Sequence, residues 1–429
     1  MKREMTKLLM LSGTIMLATS CSTANKSVSS EEASRPQTNK EYENMDAEYL
    51  TLTDAQDSII AKNNAFAVKL FEKTAKMQST VISPVSVSYL MAMLANGANG
   101  QTKADIMKAL QLEEKDLDEM NALYKMMIQR CGNTDKGTTL NIANYFAMNK
   151  FAMNKEVNLE GAYANKMKNI YNAGIESLDF TSQKTTAHIN NWCKKNTNGM
   201  IPSIIDKVDA NASAYIMNAI FFNGTWADKF SKSQTKNENF RGYTRDITMV
   251  PMMHKSDKLL YWKNDMYAAV RIPYGNGSYT MTVMLPNEGI SIDEMLKTME
   301  NADLTAWRQD AEQCIVDLKL PRFTTEADVT LNNVISELGA ANIFNSNADF
   351  TNIAKTNMFV SEMFQKAKIE VSEEGTKAAA VTAAIMTMSA LPTEEPKHVT
   401  FHANRPFVYM ITEANTNAIF FMGQYTGKE

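Results

Sequence analysis

Four histidines, His188, His254, His398 and His402, are the side chains best suited to proton transfer or metal binding near neutral pH. They are scattered. His398 and His402 are four residues apart, but Val399, Thr400 and Phe401 between them favour extended chain, in which the two rings do not converge on an ion. Their plain reading is exposed or loop histidine, and no metal site is expected. Cys131, Cys193 and Cys314 show neither CxxC nor Cys/His ligand spacing. Three is an odd number, so at least one thiol is free, and all three read as small buried hydrophobes. The acidic pairs Glu373-Glu374 and Glu394-Glu395 read as solvated charge in loops. No G-x-S-x-G elbow, Walker loop, H-E-x-x-H helix or G-x-G-x-x-G turn occurs. With no nucleophile and base to pair, an enzyme is not expected, and no cofactor is implied.

The chain has 429 residues, 44% hydrophobic and 21% charged, with 17 Gly and 10 Pro. That excludes collagenous and wholly disordered chains and gives a soft prior of about two to three domains. Lys plus Arg number 44 against 48 acidic residues, a formal charge of -4 without any basic run, so nucleic acid is not expected as a partner. The 31 methionines read as flexible filling of a large core.

The elements behind these residues follow from periodicity. Ile59, Phe66 and Leu70 recur at helical spacing between Asp54 and about Lys76, and Ser83-Pro84 supplies a cap and a first-turn proline for a second helix buried through Tyr89, Leu90, Met93 and Leu94. Leu140, Ile142, Asn144 and Phe146 alternate, which predicts a strand between Thr138 and Met148. Further strands are expected at Ser213–Phe222, Tyr267–Ile272, Ser278–Leu285, Cys314–Leu320, Lys368–Val371, Val408–Ile411 and Ala418–Gly423. Helices are expected at Thr185–Asn196, Ser291–Met299 and Thr330–Leu338, the last closed by Gly339. Helices gather early and strands late, so the fold class is α+β. No repeat or linker interrupts residues 50–429, and one large domain is the economical reading.

Lys2, Arg3 and Lys7 precede an apolar stretch from Leu8 to Ala18, the layout of a bacterial export signal and too short for a membrane span. Leu17-Ala18-Thr19-Ser20-Cys21 resembles a lipoprotein signal, in which Cys21 is acylated and becomes the new N-terminus. The alternative is an ordinary cleaved signal. The lipoprotein reading implies export and anchoring to the bacterial cell envelope through Cys21, on the periplasmic or the surface face, with release to the extracellular space as the other destination. Residues 22–49, rich in Ser, Asn, Glu and Lys, read as a flexible tether.

One segment fits no ordinary element. Residues 378–393 carry no charge, too short for a membrane span and too long for a usual loop. A short buried Ala/Met helix is one reading. The other is a strand: Thr376, Ala378, Ala380, Thr382 and Ala384 share one face and are all small, as a segment needs if it is to slide between existing strands onto a filled core. Gly375 ahead of them supplies a hinge.

Here the sequence resembles a serpin, over essentially residues 50–427. Glu370-Val371-Ser372-Glu373-Glu374-Gly375-Thr376-Lys377-Ala378-Ala379-Ala380 is similar to the hinge of that family's reactive-centre loop, in the small-residue form of inhibitory members. Phe401-His402-Ala403-Asn404-Arg405-Pro406-Phe407-Val408-Tyr409 resembles its C-terminal signature, and Ala418-Ile419-Phe420-Phe421-Met422-Gly423 the strand that follows. Ile82-Ser83-Pro84-Val85-Ser86 and Met217-Asn218-Ala219-Ile220-Phe221-Phe222-Asn223-Gly224-Thr225-Trp226 resemble its shutter and breach.

The resemblance implies three β-sheets, about eight or nine helices and an exposed loop over about residues 373–398. It places Ser83, Ser86, Asn218 and Gln365 in the shutter, with Gln365 where family members commonly carry histidine, and Trp226 in the breach. Glu373, Glu374, Gly375, Thr376, Ala378, Ala379, Ala380 and Thr382 form the hinge. It implies a monomeric suicide substrate: a serine protease attacks the loop, and insertion of the cut loop traps the covalent acyl-enzyme. Counting from Glu373 gives Ser389–Ala390 as the reactive bond, or Met388–Ser389 one residue earlier, and neither suits a trypsin-like pocket. Elastase-, chymotrypsin- or subtilisin-like proteases are the implied partners. The alternative is a non-inhibitory member acting as a binding protein.

Overall fold

The structure, a computed structural model, describes residues 51–132, 134–135, 137–152, 155–299, 310–376 and 395–428. Cys21, the tether and the loop positions Ala378, Ala379, Ala380, Thr382, Met388, Ser389 and Ala390 lie outside them.

The early part of the chain is helical. Helix α1 (Asp54–Thr74) opens on a capping box in which Thr53 and Gln56 satisfy each other's backbone amides. A short strand β1 (Thr80–Ile82) leads into α2 (Pro84–Gly97), where Ser83 caps and Pro84 occupies the first turn. Almost every residue of α2 is buried, which identifies it as a helix surrounded by other elements rather than lying on the surface. Helices α3 (Gly100–Ala109) and α4 (Leu117–Arg130) follow. Strand β2 (Thr138–Asn149), the small hairpin β3 (Phe151–Ala152) and β4 (Lys155–Glu156), α5 (Gly161–Tyr171), β5 (Gly174–Leu178) and α6 (Thr185–Asn196) complete the first half.

The rest is mainly strand: β6 (Ala214–Thr225), β7 (Lys236–Arg241), β8 (Ile247–Lys263), β9 (Tyr267–Tyr274), β10 (Tyr279–Pro286), then α7 (Ile292–Met299), β11 (Glu312–Pro321), β12 (Phe323–Thr330) and the short α8 (Asn332–Ile335). Strands β13 (Glu362–Ser372), β14 (Gly375–Thr376), β15 (His398–His402), β16 (Phe407–Glu413) and β17 (Ile419–Tyr425) close the chain. The class is α+β, with eight α-helices among the described residues.

Two large sheets carry the fold. A six-stranded sheet runs β12-β13-β14-β6-β2-β5, and a nine-stranded sheet runs β1-β17-β16-β10-β9-β8-β11-β15 with β7 on β8; the third is the β3–β4 pair. The core joins Phe66, Phe71, Tyr89, Phe146, Phe222 and Tyr409, each fully buried and each contributing about 1.5–3 kcal/mol of transfer free energy. Met91, Met93, Met120, Met281 and Met422 fill space within it, and Cys131, Cys193 and Cys314 are buried free thiols.

Several expectations change at element ends. β13 extends back to Glu362, well before Lys368, because its early residues pair in parallel with β6 and antiparallel with β12. The expected helix Thr330–Leu338 narrows to α8 and a π-turn, since Gly339 takes φ 111°. The 17-residue β8 carries no clean alternation and was not expected; β7, β9 and β11 build it from the outside.

Candidate functional site

The six-stranded sheet is zipped at one end and open at the other. β6 and β13 are neighbours and parallel from Tyr215 with Glu362 up to Phe221 with Lys368. Above that point they part, and β14 fills the gap, pairing antiparallel with Val371 and Ser372 on one side and with Gly224 and Thr225 on the other. A two-residue strand held on both edges has the geometry of the first rung of a longer insertion.

The turn that delivers β14 is fixed by residues distant in sequence. Gly375 takes φ 136°, and a Cβ there would lie 2.1 Å from the Gly224 carbonyl oxygen, so only glycine fits. The Trp226 and Phe230 amides donate to the Glu374 and Glu373 carbonyls, both at 3.0 Å. The Trp226 indole donates to the Ser372 carbonyl at 2.8 Å and stacks on Tyr274 with ring centroids 4.4 Å apart. Thr376 is fully buried, its hydroxyl 2.8 Å from that of Tyr274.

The pair Glu373-Glu374 is therefore not solvated loop charge. Glu373 is 3% exposed, accepts from the Thr235 hydroxyl at 2.7 Å and sits 3.5 Å from Arg322. Glu374 pairs with Lys229 at 2.8 Å and Lys232 at 3.3 Å, and these two lysines hold its carboxyl below the usual range. The exposed loop expected from about residue 373 does not include the four residues from Glu373 to Thr376, which are packed into the sheet head.

Midway down the zipped part lies a buried polar row. Asn144, Asn218 and Gln365 stand in register on β2, β6 and β13. The Gln365 amide donates to Asn218 Oδ1 and to the Ser83 carbonyl, each at 3.0 Å, and accepts from the Ser83 amide at 2.7 Å. Asn218 donates to Asn144 Oδ1 at 2.9 Å, and Asn144 to the Tyr171 carbonyl at 3.3 Å. Ser83 donates to Ser86 at 3.0 Å, so the cap of α2 belongs to the same network. Ser83, Ser86, Asn218 and Gln365 are thus brought together. Trp226 stands apart from them, at the sheet head with Glu373 to Thr376.

Sequence reading missed Asn144 as a polar member, Tyr274, Thr235 and Arg322 as hinge contacts, and the Lys229/Lys232 clamp. None carries a local signal, because each reaches its partner from a different strand or turn. The histidines are partly redistributed: His254 and His402, read as exposed or loop residues, lie on β8 and β15, and both Nε2 atoms bond Asp317, at 2.6 and 2.9 Å. That pairing pulls the Asp317 carboxyl below its usual range. Among the described residues no group of His, Cys, Asp or Glu is arranged to hold a metal. The arrangement is mechanical rather than catalytic: β14 lies between the upper ends of β13 and β6, and the buried polar row ties the same two strands together below it.

The family model for Serpin (serine protease inhibitor) matches residues 61–427. The chain is 30% identical over 385 residues to the leukocyte elastase inhibitor of Sus scrofa, covering 86% of this chain and 99% of that protein. It is 31% identical over 356 residues to the human plasma serine protease inhibitor, covering 82% and 84%. Among solved structures it is similar to the thermophilic serpin tengpin in its native state, with TM-score 0.78 and 28% identity over 88% of this chain and 96% of that one. Thyroxine-binding globulin in complex with thyroxine has the same fold at TM-score 0.76 and 24% identity, over 87% of this chain and 100% of that one.

Proposed function

Because the chain belongs to the serpin family, we propose that it is a suicide-substrate inhibitor of elastase-, chymotrypsin- or subtilisin-like serine proteases. The protease serine attacks the carbonyl of Ser389, the Ser389–Ala390 bond breaks, and an acyl-enzyme forms, with Met388–Ser389 as the alternative bond. The freed N-terminal part of the loop enters the six-stranded sheet and carries the protease with it, and distortion of the protease active site stops deacylation.

The observation that carries this reading is β14. It already lies antiparallel between two strands that run parallel to each other, so each further loop residue would meet a partner on both sides once those strands part. Inserted in that register, Ala378 would meet Phe222, Ala380 would meet Ile220, and Thr382 would meet Asn218 on β6 and Gln365 on β13. The small side chains at these positions fit a face that must close onto packed core, and Thr382 brings a hydroxyl to the level where the amide row is parted. The relatives named as elastase inhibitors and the residues Met388, Ser389 and Ala390, none of them basic, support the target class.

Export and anchoring complete the reading. Cys21 carries the acyl chains, residues 22–49 tether the inhibitor to the bacterial cell envelope, and it works there as a monomer. Palmitate labelling tests this: label on the wild-type protein and none on Cys21→Ser is expected, and an unlabelled wild type replaces the anchor with a cleaved signal.

The inhibitory reading is tested by mixing residues 22–429 with neutrophil elastase, chymotrypsin, subtilisin and trypsin and running denaturing gels. A stable band at the summed mass is expected with one of the first three. Loop cleavage with no such band at any ratio would replace inhibition with a binding role.

A further inference from the structure

Thr376 sits in the sheet head before any protease has acted, and its seat is specific. The Tyr274 ring is fully buried, lies flat on Trp226 at 4.4 Å and 11°, and meets the edge of Phe222 at 5.0 Å. Its backbone bridges to Trp226. These contacts leave the phenol oxygen little freedom, and the Thr376 hydroxyl lies 2.8 Å from it. Both hydroxyls are shut away from water, so each depends on the other for a hydrogen bond. The space is made by glycine: Gly224 stands opposite Thr376 in the ladder, and a Cβ on it would lie 2.9 Å from the Tyr274 ring.

We propose that Tyr274 is the positioning residue that seats Thr376 in the resting protein, so that the first rung of loop insertion is formed before the protease arrives. The inference rests on the inhibitory reading for its consequence, while the seat itself is a property of the uncut protein. Starting a strand between two others costs more than extending it, because the chain must be ordered before the ladder repays the entropy. A rung already in place removes that delay and favours insertion in its race with hydrolysis of the acyl-enzyme. Tyr274 acts through Thr376 alone.

The test uses the full chain and the variants Tyr274→Phe, Thr376→Val and their combination. Without protease, amide hydrogen exchange at Gly375 and Thr376 should rise about tenfold in each single variant, the factor expected when a buried hydroxyl loses its partner. The double variant should exchange no faster than the faster single, since removing both hydroxyls leaves neither unpaired. Unchanged exchange in Tyr274→Phe, or single effects that multiply in the double variant, would overturn the seat. With protease, Tyr274→Phe should raise the ratio of cleaved to trapped inhibitor several-fold while the rate of the first cut stays as in wild type and the melting temperature falls by no more than a few degrees. An unchanged ratio beside faster exchange would overturn the priming role. Should the wild type trap no protease, the inhibitory reading fails, and the exchange results still decide the seat.

Discussion

Gln365 and Asn218 face each other on parallel strands, joined by a 3.0 Å hydrogen bond at the level where β6 and β13 must separate if a strand is to pass between them. Both are buried, and the backbone of Ser83 at the head of α2 makes two further hydrogen bonds with the Gln365 amide. Gln365→Leu leaves the Ser83 amide, the Ser83 carbonyl and Asn218 Oδ1 without that partner. A loss of about 2–4 kcal/mol is expected, read from urea unfolding of the full chain. A loss below about 0.5 kcal/mol would show that the row contributes nothing to the closed sheet.

Thr376 has no room for a larger group: it is fully buried and faces Gly224. Thr376→Arg would place an unpaired charge in the sheet head, at a cost of several kcal/mol, so the segment should remain outside. The protease should then cut the loop as before and form no covalent complex. A complex at undiminished yield on a denaturing gel would sink the insertion mechanism.

If the loop inserts in the register set by β14, the sixth residue beyond Thr376, Thr382, would reach the level of both Gln365 and Asn218. Thr382→Val keeps the shape and removes the hydroxyl that could satisfy the parted amides. The expected result is a fall in trapped fraction of about fivefold, equivalent to roughly 1 kcal/mol at the competing step. Titration of inhibitor against a fixed amount of protease measures it, and an unchanged stoichiometry would place the inserted strand in another register.

The reactive bond is open to direct mass measurement. Limited digestion should release a C-terminal fragment beginning at Ala390, or at Ser389 if the count from Glu373 is one shorter. A fragment arising from a cut outside residues 386–391 would refute the count.

The hinge should loosen in acid. Lys229 and Lys232 lower the Glu374 carboxyl below its ordinary value of 4.5, so its pairing favours the folded hinge fully above that pH and is lost as the pH falls through the depressed value. Exchange of the Gly375 and Thr376 amides, corrected for the intrinsic rate, should accelerate below about pH 4.5. Glu374→Gln should remove this pH dependence. A variant that retains it would assign the effect to another carboxylate.

Much of this protein is legible before folding. Ser83-Pro84 forces a helix start by capping and by a fixed φ, and α2 begins there; Leu140, Ile142 and Phe146 alternate, and β2 results; Gly375 marks a place where no Cβ fits. The small residues Thr376, Ala378, Ala380, Thr382 and Ala384 carry the resemblance to the family, because a segment that is to enter a packed sheet would be constrained at every second position. These are local constraints, and sequence records them in neighbouring residues. What the tertiary structure alone decided is which distant groups meet: Glu373 with Arg322 and Thr235, Thr376 with Tyr274, Gln365 with Ser83 and Asn218, and His254 with His402 on one aspartate. Their spacing along the chain follows no period. Strand register selects those partners, and where they are buried, as at Thr376, Gln365 and Asn218, burial turns the hydrogen bond from a contact that water could replace into one the fold cannot lose without cost.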